Sequence, residues 1–115
     1  ASKVRHVVHS KELQSIFLEA KASNPSKLVV LDFSASWCGP CQHISPIYDQ
    51  LSSTQEFQDV IFVKIDVDEA SEIAQEYSVT AMPTFLFWSQ GKVVDKLMGA
   101  NPQGLVDNIR KYRKQ

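Results

Sequence analysis

The chain has 115 residues, enough for a single domain over 1–115 that buries its own core without disulfide staples. Hydrophobic residues make up 43% and charged residues 22%, and 12 Lys plus Arg against 13 Asp plus Glu leave a formal charge of -1, a balance that favours neither a nucleic-acid nor a membrane-surface partner. No apolar run approaches the ~20 residues of a membrane span, and Ala1–His6 lacks the apolar centre of a secretory signal, so the expected location is cytoplasmic.

Val4 to Val8 reads as a short first strand with Val4 and Val8 on one side. Ser10 is placed to cap a helix, with Glu12 in its first turn. Leu13, Ile16, Phe17 and Ala20 then recur at the spacing of one helical face. Ser23-Asn-Pro-Ser26 ends that helix. Leu28 to Phe33 is almost continuously apolar, the pattern of a strand covered on both faces, and Asp32 sits inside it. A helix follows from Cys41 to roughly Gln55, with Ile44, Ile47, Tyr48 and Leu51 on one face and Pro46 predicting a kink.

Val60 to Val67 predicts a third strand, interrupted by Lys64 as the second is by Asp32. Asp68 to Tyr77 predicts a short helix capped by Asp68, and Thr80-Ala-Met-Pro83 a turn. Thr84–Trp88 and Val93–Met98 read as two antiparallel strands joined by a hairpin turn at Ser89-Gln-Gly-Lys92, with Trp88 in the core. Gly99 and Ala100 break the pattern. Asn101 caps a last helix with Pro102 in its first position, and Leu105, Ile109 and Tyr112 face inward. Arg110, Lys111, Arg113 and Lys114 gather at its end, where cations suit the helix dipole. The order β-α-β-α-β-α-β-β-α predicts an α/β fold with parallel neighbours and a closing hairpin that makes the sheet mixed.

Both cysteines, Cys38 and Cys41, fall where the second strand gives way to a helix. The positive end of a helix dipole favours a thiolate there, and the thiolate is the reactive form of sulfur. So close a pair closes too small a loop to act as a structural staple. In a reducing compartment it reads as catalytic or metal-binding. A closed zinc site needs four ligands, the pair supplies two, and His6, His9 and His43 show no matching ligand spacing, so no metal is expected. His43 reads as a solvent-facing residue. From the residues alone, Asp32 is either a proton-transfer group or a structural aspartate satisfied locally. Lys64 is either its partner or a surface lysine.

Trp37-Cys-Gly-Pro-Cys41 resembles the active-site motif of the thioredoxin family, in which C-x-x-C stands beside a βαβ unit. The resemblance covers essentially the whole chain. Asp32 matches the family's buried aspartate, Pro46 its helix proline, Lys64 the lysine near that aspartate, Met82-Pro83-Thr84 its cis-proline turn, and Gly91 and Gly99 its two late glycines. It implies the thioredoxin fold, a central five-stranded mixed sheet flanked by four helices. It also implies a protein-disulfide reductase with a Cys38–Cys41 redox disulfide, Cys38 as nucleophile and Cys41 as resolving thiol. Asp32 would be general acid and base, through a water, with Lys64 modulating its charge. Trp37, Gly39, Pro40, Met82, Pro83, Gly99 and Ala100 would form the active-site turn and an apolar substrate rim, the Met82 backbone pairing with an extended client strand. No bound cofactor is implied; electrons would come from NADPH through a thioredoxin reductase. Peroxiredoxins and ribonucleotide reductase would be among the clients.

Two departures stand out. Ser34 occupies a position that is usually aromatic in the family, and Gln42, followed by His43, one that is commonly Lys or Arg. They bear on redox potential and partner preference. The competing functions are a disulfide oxidase or isomerase on the same fold, a binding module that uses the apolar rim without turnover, and a redox sensor, for which the chain lacks an extra cysteine.

Overall fold

The computed structural model describes residues 1–113, so Lys114, assigned above to the terminal cation cluster, lies outside the described residues. Five strands form one mixed sheet in the order β1-β3-β2-β4-β5. They are β1 (Arg5–His6), β2 (Leu28–Ser34), β3 (Val60–Asp66), β4 (Thr84–Ser89) and β5 (Lys92–Met98). The helices are α1 (Ser10–Ala22), α2 (Gly39–Ser52), α3 (Ser71–Glu76) and α4 (Pro102–Tyr112). β2 runs parallel to β3 and antiparallel to β4, and β5 closes the far edge antiparallel to β4. Among the described residues no helix is long and apolar enough to cross a membrane.

The near-continuous apolar run of β2 becomes the middle of the sheet, with all seven of its residues buried. Side chains alternate across a strand, so this run feeds two cores. Val29, Leu31 and Phe33 pack with Leu13, Ile16, Phe17 and Ala20 of α1 and Ile73 and Ala74 of α3. Leu28 and Val30 pack with Ile44 and Tyr48 of α2 and Leu105 and Ile109 of α4. Asp32 has the parity of Leu28 and Val30 and therefore belongs to the α2 side. Trp88 is buried, stacked on Phe17 with ring centroids 4.2 Å apart. Tyr48 ties the second core to the sheet: its hydroxyl lies 2.7 Å from the Val63 carbonyl and 3.1 Å from that of Val30, bridging adjacent strands.

Several local expectations need correction. β1 is only two residues long, because it pairs only with Val63 and Lys64 before the chain turns into α1. Val7 is the buried residue there, Val4 packs on the opposite core, and Val8 is exposed. The N-cap of α1 is His9 rather than Ser10, and the Glu12 carboxylate accepts the backbone N–H groups of Val8 and His9. α2 starts at Gly39, two residues early, since Pro40 needs no hydrogen bond in a first turn. It contains Pro46 and ends at Ser52, short of the expected Gln55; Gln55–Phe57 forms a separate 3₁₀ turn. α3 starts at Ser71 after an Ala70 N-cap, not at an Asp68 cap. Asp66 instead holds that turn, its carboxylate accepting from the N–H groups of Asp68 and Glu69.

The hairpin turn falls where Gln90 and Gly91 both take positive φ, 53° and 94°, as a two-residue turn of the right twist requires. Asn101 caps α4 by accepting the Gly104 N–H at 3.0 Å. Tyr112 is half-buried against the second core with its hydroxyl on Asp95. Replacing Tyr48 by Phe removes the bridging hydroxyl without changing the packed volume. We expect Tyr48→Phe to lower the free energy of unfolding by about 1–2 kcal/mol. Urea denaturation checks this, with the midpoint moving and the slope unchanged.

Candidate active site

β2 ends at Ser34, and a three-residue loop carries the chain to Cys38, the N-cap of α2. Cys38 has the extended backbone of a cap (φ -92°, ψ 112°), so its side chain turns back over the first turn. The Cys41 N–H points at Cys38 Sγ over 3.2 Å. Cys38 thus occupies the place of a capping oxygen. A negative sulfur there accepts an otherwise unpartnered helix N–H and meets the positive end of the dipole. Both effects favour the thiolate. Cys41 lies one turn along, and the two cysteines are joined as a disulfide with Cα atoms 5.3 Å apart. That separation is ordinary for a bridge.

Sequence reasoning expects Cys38 to be partly exposed. It is 6% exposed, against 2% for Cys41, so the order is as expected but the window is narrow. The cover comes from Ala35, Val67 and Met82. The Met82 carbonyl lies 3.6 Å from Cys38 Sγ, and Met82-Pro83 is cis, as the family resemblance implies. A second cis bond, Asn24-Pro25, lies in the loop after α1. The turn is joined to the end of β5 by the Gly99 N–H, which donates to the Pro83 carbonyl at 2.9 Å. Gly99 takes φ +95° there, a conformation side chains rarely adopt. Pro83 is buried and Gly99 and Ala100 are half-buried, while Gly39 and Pro40 are exposed beside the cysteines.

Trp37 is 67% exposed, and its indole N–H donates to Asp68 Oδ2 at 2.9 Å. The sequence reading of Asp68 as a helix cap missed this contact. Gln42, in place of a cation, donates through Nε2 to the carbonyls of Ala35 (3.3 Å) and Ser36 (3.4 Å), holding the loop before Cys38. Ser34 is buried at the end of β2. His43 is exposed, as expected. Among the described residues no three His, Cys, Asp or Glu side chains gather so as to hold a metal ion.

Asp32 is 2% exposed, and its Oδ1 has no hydrogen-bond partner among the described residues. Burial pushes its carboxyl up to about 7; Lys64 pulls it down and Asp49 on α2 adds to the rise. Lys64 is not a surface lysine on an edge. It sits in register beside Asp32, and its ammonium donates to Ser45 Oγ at 2.8 Å. Ser45 carried no signal by residue type, but its place four residues after Cys41 sets both on one face of α2.

A buried cysteine pair at a helix N-terminus, faced by a cis-proline turn on an α/β sheet, defines a thiol–disulfide protein. The chain belongs to the thioredoxin family, whose model matches residues 7–111. Thioredoxin of Ictalurus punctatus is 42% identical over 107 residues, covering 93% of this chain and 99% of that protein. The crystal structure of thioredoxin NaTrxh from Nicotiana alata is 45% identical with a TM-score of 0.88, over 98% of this chain and 95% of that one. A second similar structure, 35% identical with a TM-score of 0.83 over 96% of this chain and 99% of that one, comes from work on thiol resolution in yeast mitochondrial 1-Cys peroxiredoxin via glutathione/thioredoxin systems. Membership of the family implies thiol–disulfide oxidoreductase activity in general terms, consistent with the joined cysteine pair.

The raised Asp32 carboxyl has a consequence for stability. In the unfolded chain the group titrates near 3.8, in the folded protein near 7, so the folded state holds the proton more tightly. The contribution of this one group to stability is therefore fullest below pH 4 and declines as pH rises towards 7. Asp32→Asn should remove that decline. Its unfolding free energy should exceed that of the parent by on the order of 3–5 kcal/mol above pH 7, with the gap closing towards pH 4. Denaturant midpoints across that range are the measurement.

Proposed function

We propose that this protein is a protein-disulfide reductase that acts by dithiol–disulfide exchange through Cys38 and Cys41. The observation that carries the reading is the placement of Cys38 Sγ as the cap of α2, with the Cys41 N–H aimed at it. The Cys38 thiolate attacks one sulfur of a client disulfide. A Cys38–client bond forms, the client S–S bond breaks, and the departing client sulfur takes up a proton. Cys41 then gives its proton to ionised Asp32, through a water, and attacks Cys38. The Cys38–Cys41 bond forms, the Cys38–client bond breaks, and the second client sulfur leaves as a thiolate that takes up a proton from Asp32 through the same water. The client gains two electrons and two protons, and this protein is left as the disulfide.

Gly39 and Pro40 place no side-chain donor between the cysteines, so the thiolate has backbone stabilisation only, which favours donation of electrons over the oxidase or isomerase alternative. Lys64 tunes Asp32. Trp37, Met82, Pro83, Gly99 and Ala100 form the client rim, and the mixture of apolar contact and backbone groups suits many extended segments. NADPH supplies the electrons through a thioredoxin reductase, with no cofactor bound by this chain, in the cytoplasm. Peroxiredoxins and ribonucleotide reductase are among the clients we propose. The similar structure connected with a peroxiredoxin and the thioredoxin system supports the first of these.

An NADPH-coupled insulin reduction assay with a thioredoxin reductase tests this reading. The parent should turn over, Cys38→Ser should fall to background, and Cys41→Ser should trap a mixed disulfide with the client. Retained turnover in Cys38→Ser would sink the reading in favour of a binding module. The exchange rate should climb with pH through about 7, as Asp32 becomes able to accept a proton. Asp32→Asn should slow exchange by roughly 100-fold and abolish that inflection, read by stopped-flow at pH values from well below to well above the shifted carboxyl.

A further inference from the structure

Ser45 lies in the interior of α2, where a serine usually faces solvent or hydrogen-bonds the carbonyl four residues back. Here its Oγ accepts the Lys64 ammonium at 2.8 Å. Lys64 is partly buried on β3, and the parallel register with β2 sets it directly beside Asp32 on the side of the sheet that α2 covers. The ion pairs found among the described residues join Arg5 to Glu19, Arg110 to Glu56 and Arg113 to Asp59; none involves Lys64 or Asp32. Among the described residues the ammonium donates its side-chain hydrogen bond to Ser45 and not to the carboxylate.

A lysine head on four methylenes and near solvent moves into water unless something holds it. In water its field at Asp32 is screened; held against α2, it acts through protein. The other groups that bear on Asp32 are fixed by their own elements. Asp49 and Tyr48 approach from α2, and Cys41 begins the same helix face. β4 presents Phe85 opposite Asp32, and α4 contributes Leu105 and Ile109, all without charge. The held cation is the only positive charge in this set, and the hold is a single hydroxyl.

We propose that Ser45 is a positioning residue: its hydroxyl fixes the Lys64 ammonium beside Asp32 and so sets the proton affinity of that carboxyl. The importance of this for exchange rests on the reading of Asp32 as the proton acceptor for Cys41. Ser45 touches no reacting atom; it acts through Lys64.

The test is an NMR titration of the Asp32 carboxyl carbon in the reduced, full-length protein. The chains compared are the parent, Ser45→Ala, Ser45→Thr, Lys64→Met and the Ser45→Ala/Lys64→Met double variant. Lys64→Met should raise the titration midpoint of Asp32 by about one pH unit, the usual effect of losing a nearby opposite charge. Ser45→Ala should raise it in the same direction by about half that, and Ser45→Thr, which keeps a hydroxyl, should stay with the parent. In the double variant the serine change should add nothing to the lysine change. An unmoved or lowered midpoint in Ser45→Ala, a threonine variant that follows the alanine one, or an equal rise in the absence of Lys64 overturns the proposal. The exchange-rate profile of the same proteins separates the two readings. If the midpoint moves as expected and the rate profile does not follow it, Ser45 positions Lys64 but Asp32 is not the acceptor.

Discussion

The structure depends on one strand being buried on both faces. Seven consecutive residues of β2 are out of water, and that is possible only because helices cover both sides of the sheet and strands flank both edges of β2. Once β2 is fixed, its C-terminal end is fixed too, and the chain that leaves it must turn at once into α2. Cys38 falls at that turn. The helix dipole and the Cys41 N–H aimed at Cys38 Sγ both follow from where a fully buried strand has to stop, and the Met82 carbonyl approaches the same sulfur. The reactivity proposed for Cys38 thus needs no special group beside the sulfur; it needs a strand-to-helix junction held rigid from below.

The elements that were legible in the sequence are those whose signal is a buried face. β2, the apolar stripe of α1 with Leu13, Ile16, Phe17 and Ala20, and the β4–β5 hairpin with its Gln90-Gly91 turn all stand where the pattern of residues puts them. The starts of α1 and α3 are misplaced by sequence pattern, because there the deciding contact is a side chain reaching from elsewhere. Glu12 reaches back to Val8 and His9, which moves the start of α1 off Ser10. Asp66 takes the turn that the sequence pattern assigns to Asp68, and Asp68 accepts the Trp37 indole N–H. Pairing beyond the ends of β1 was equally invisible, because a two-residue strand has no periodicity to read.

The site was legible unevenly for the same reason. A cysteine pair two residues apart announces itself by type and spacing. Asp32 announces itself as a charge in an apolar run. Ser45 and Gln42 are ordinary polar residues on a helix, and what distinguishes them is a partner 19 residues away in one case and two loop carbonyls in the other. Sequence pattern carries burial well because burial repeats along a face. It carries hydrogen-bond partnership poorly because a single contact leaves no repeat.

Asp32 shows how fold and chemistry are set against each other here. A folded protein of this size has a net stability on the order of 5–15 kcal/mol. An aspartate whose carboxyl is pushed up to about 7 takes a noticeable fraction of that at neutral pH, and an asparagine or an apolar residue on β2 would not. The fold gains nothing obvious in return: Oδ1 is buried without a hydrogen-bond partner among the described residues, and no ion pair is formed. A carboxyl that is poorly solvated, close to half-ionised near neutrality and on the same side of the sheet as Cys41 is nevertheless suited to pass a proton in either direction. If stability alone had shaped the position, Lys64 would be expected to dock on the carboxylate and lower its proton affinity. Its ammonium is bonded to Ser45 instead, close enough to act on Asp32 but without the direct contact that would quench its basicity.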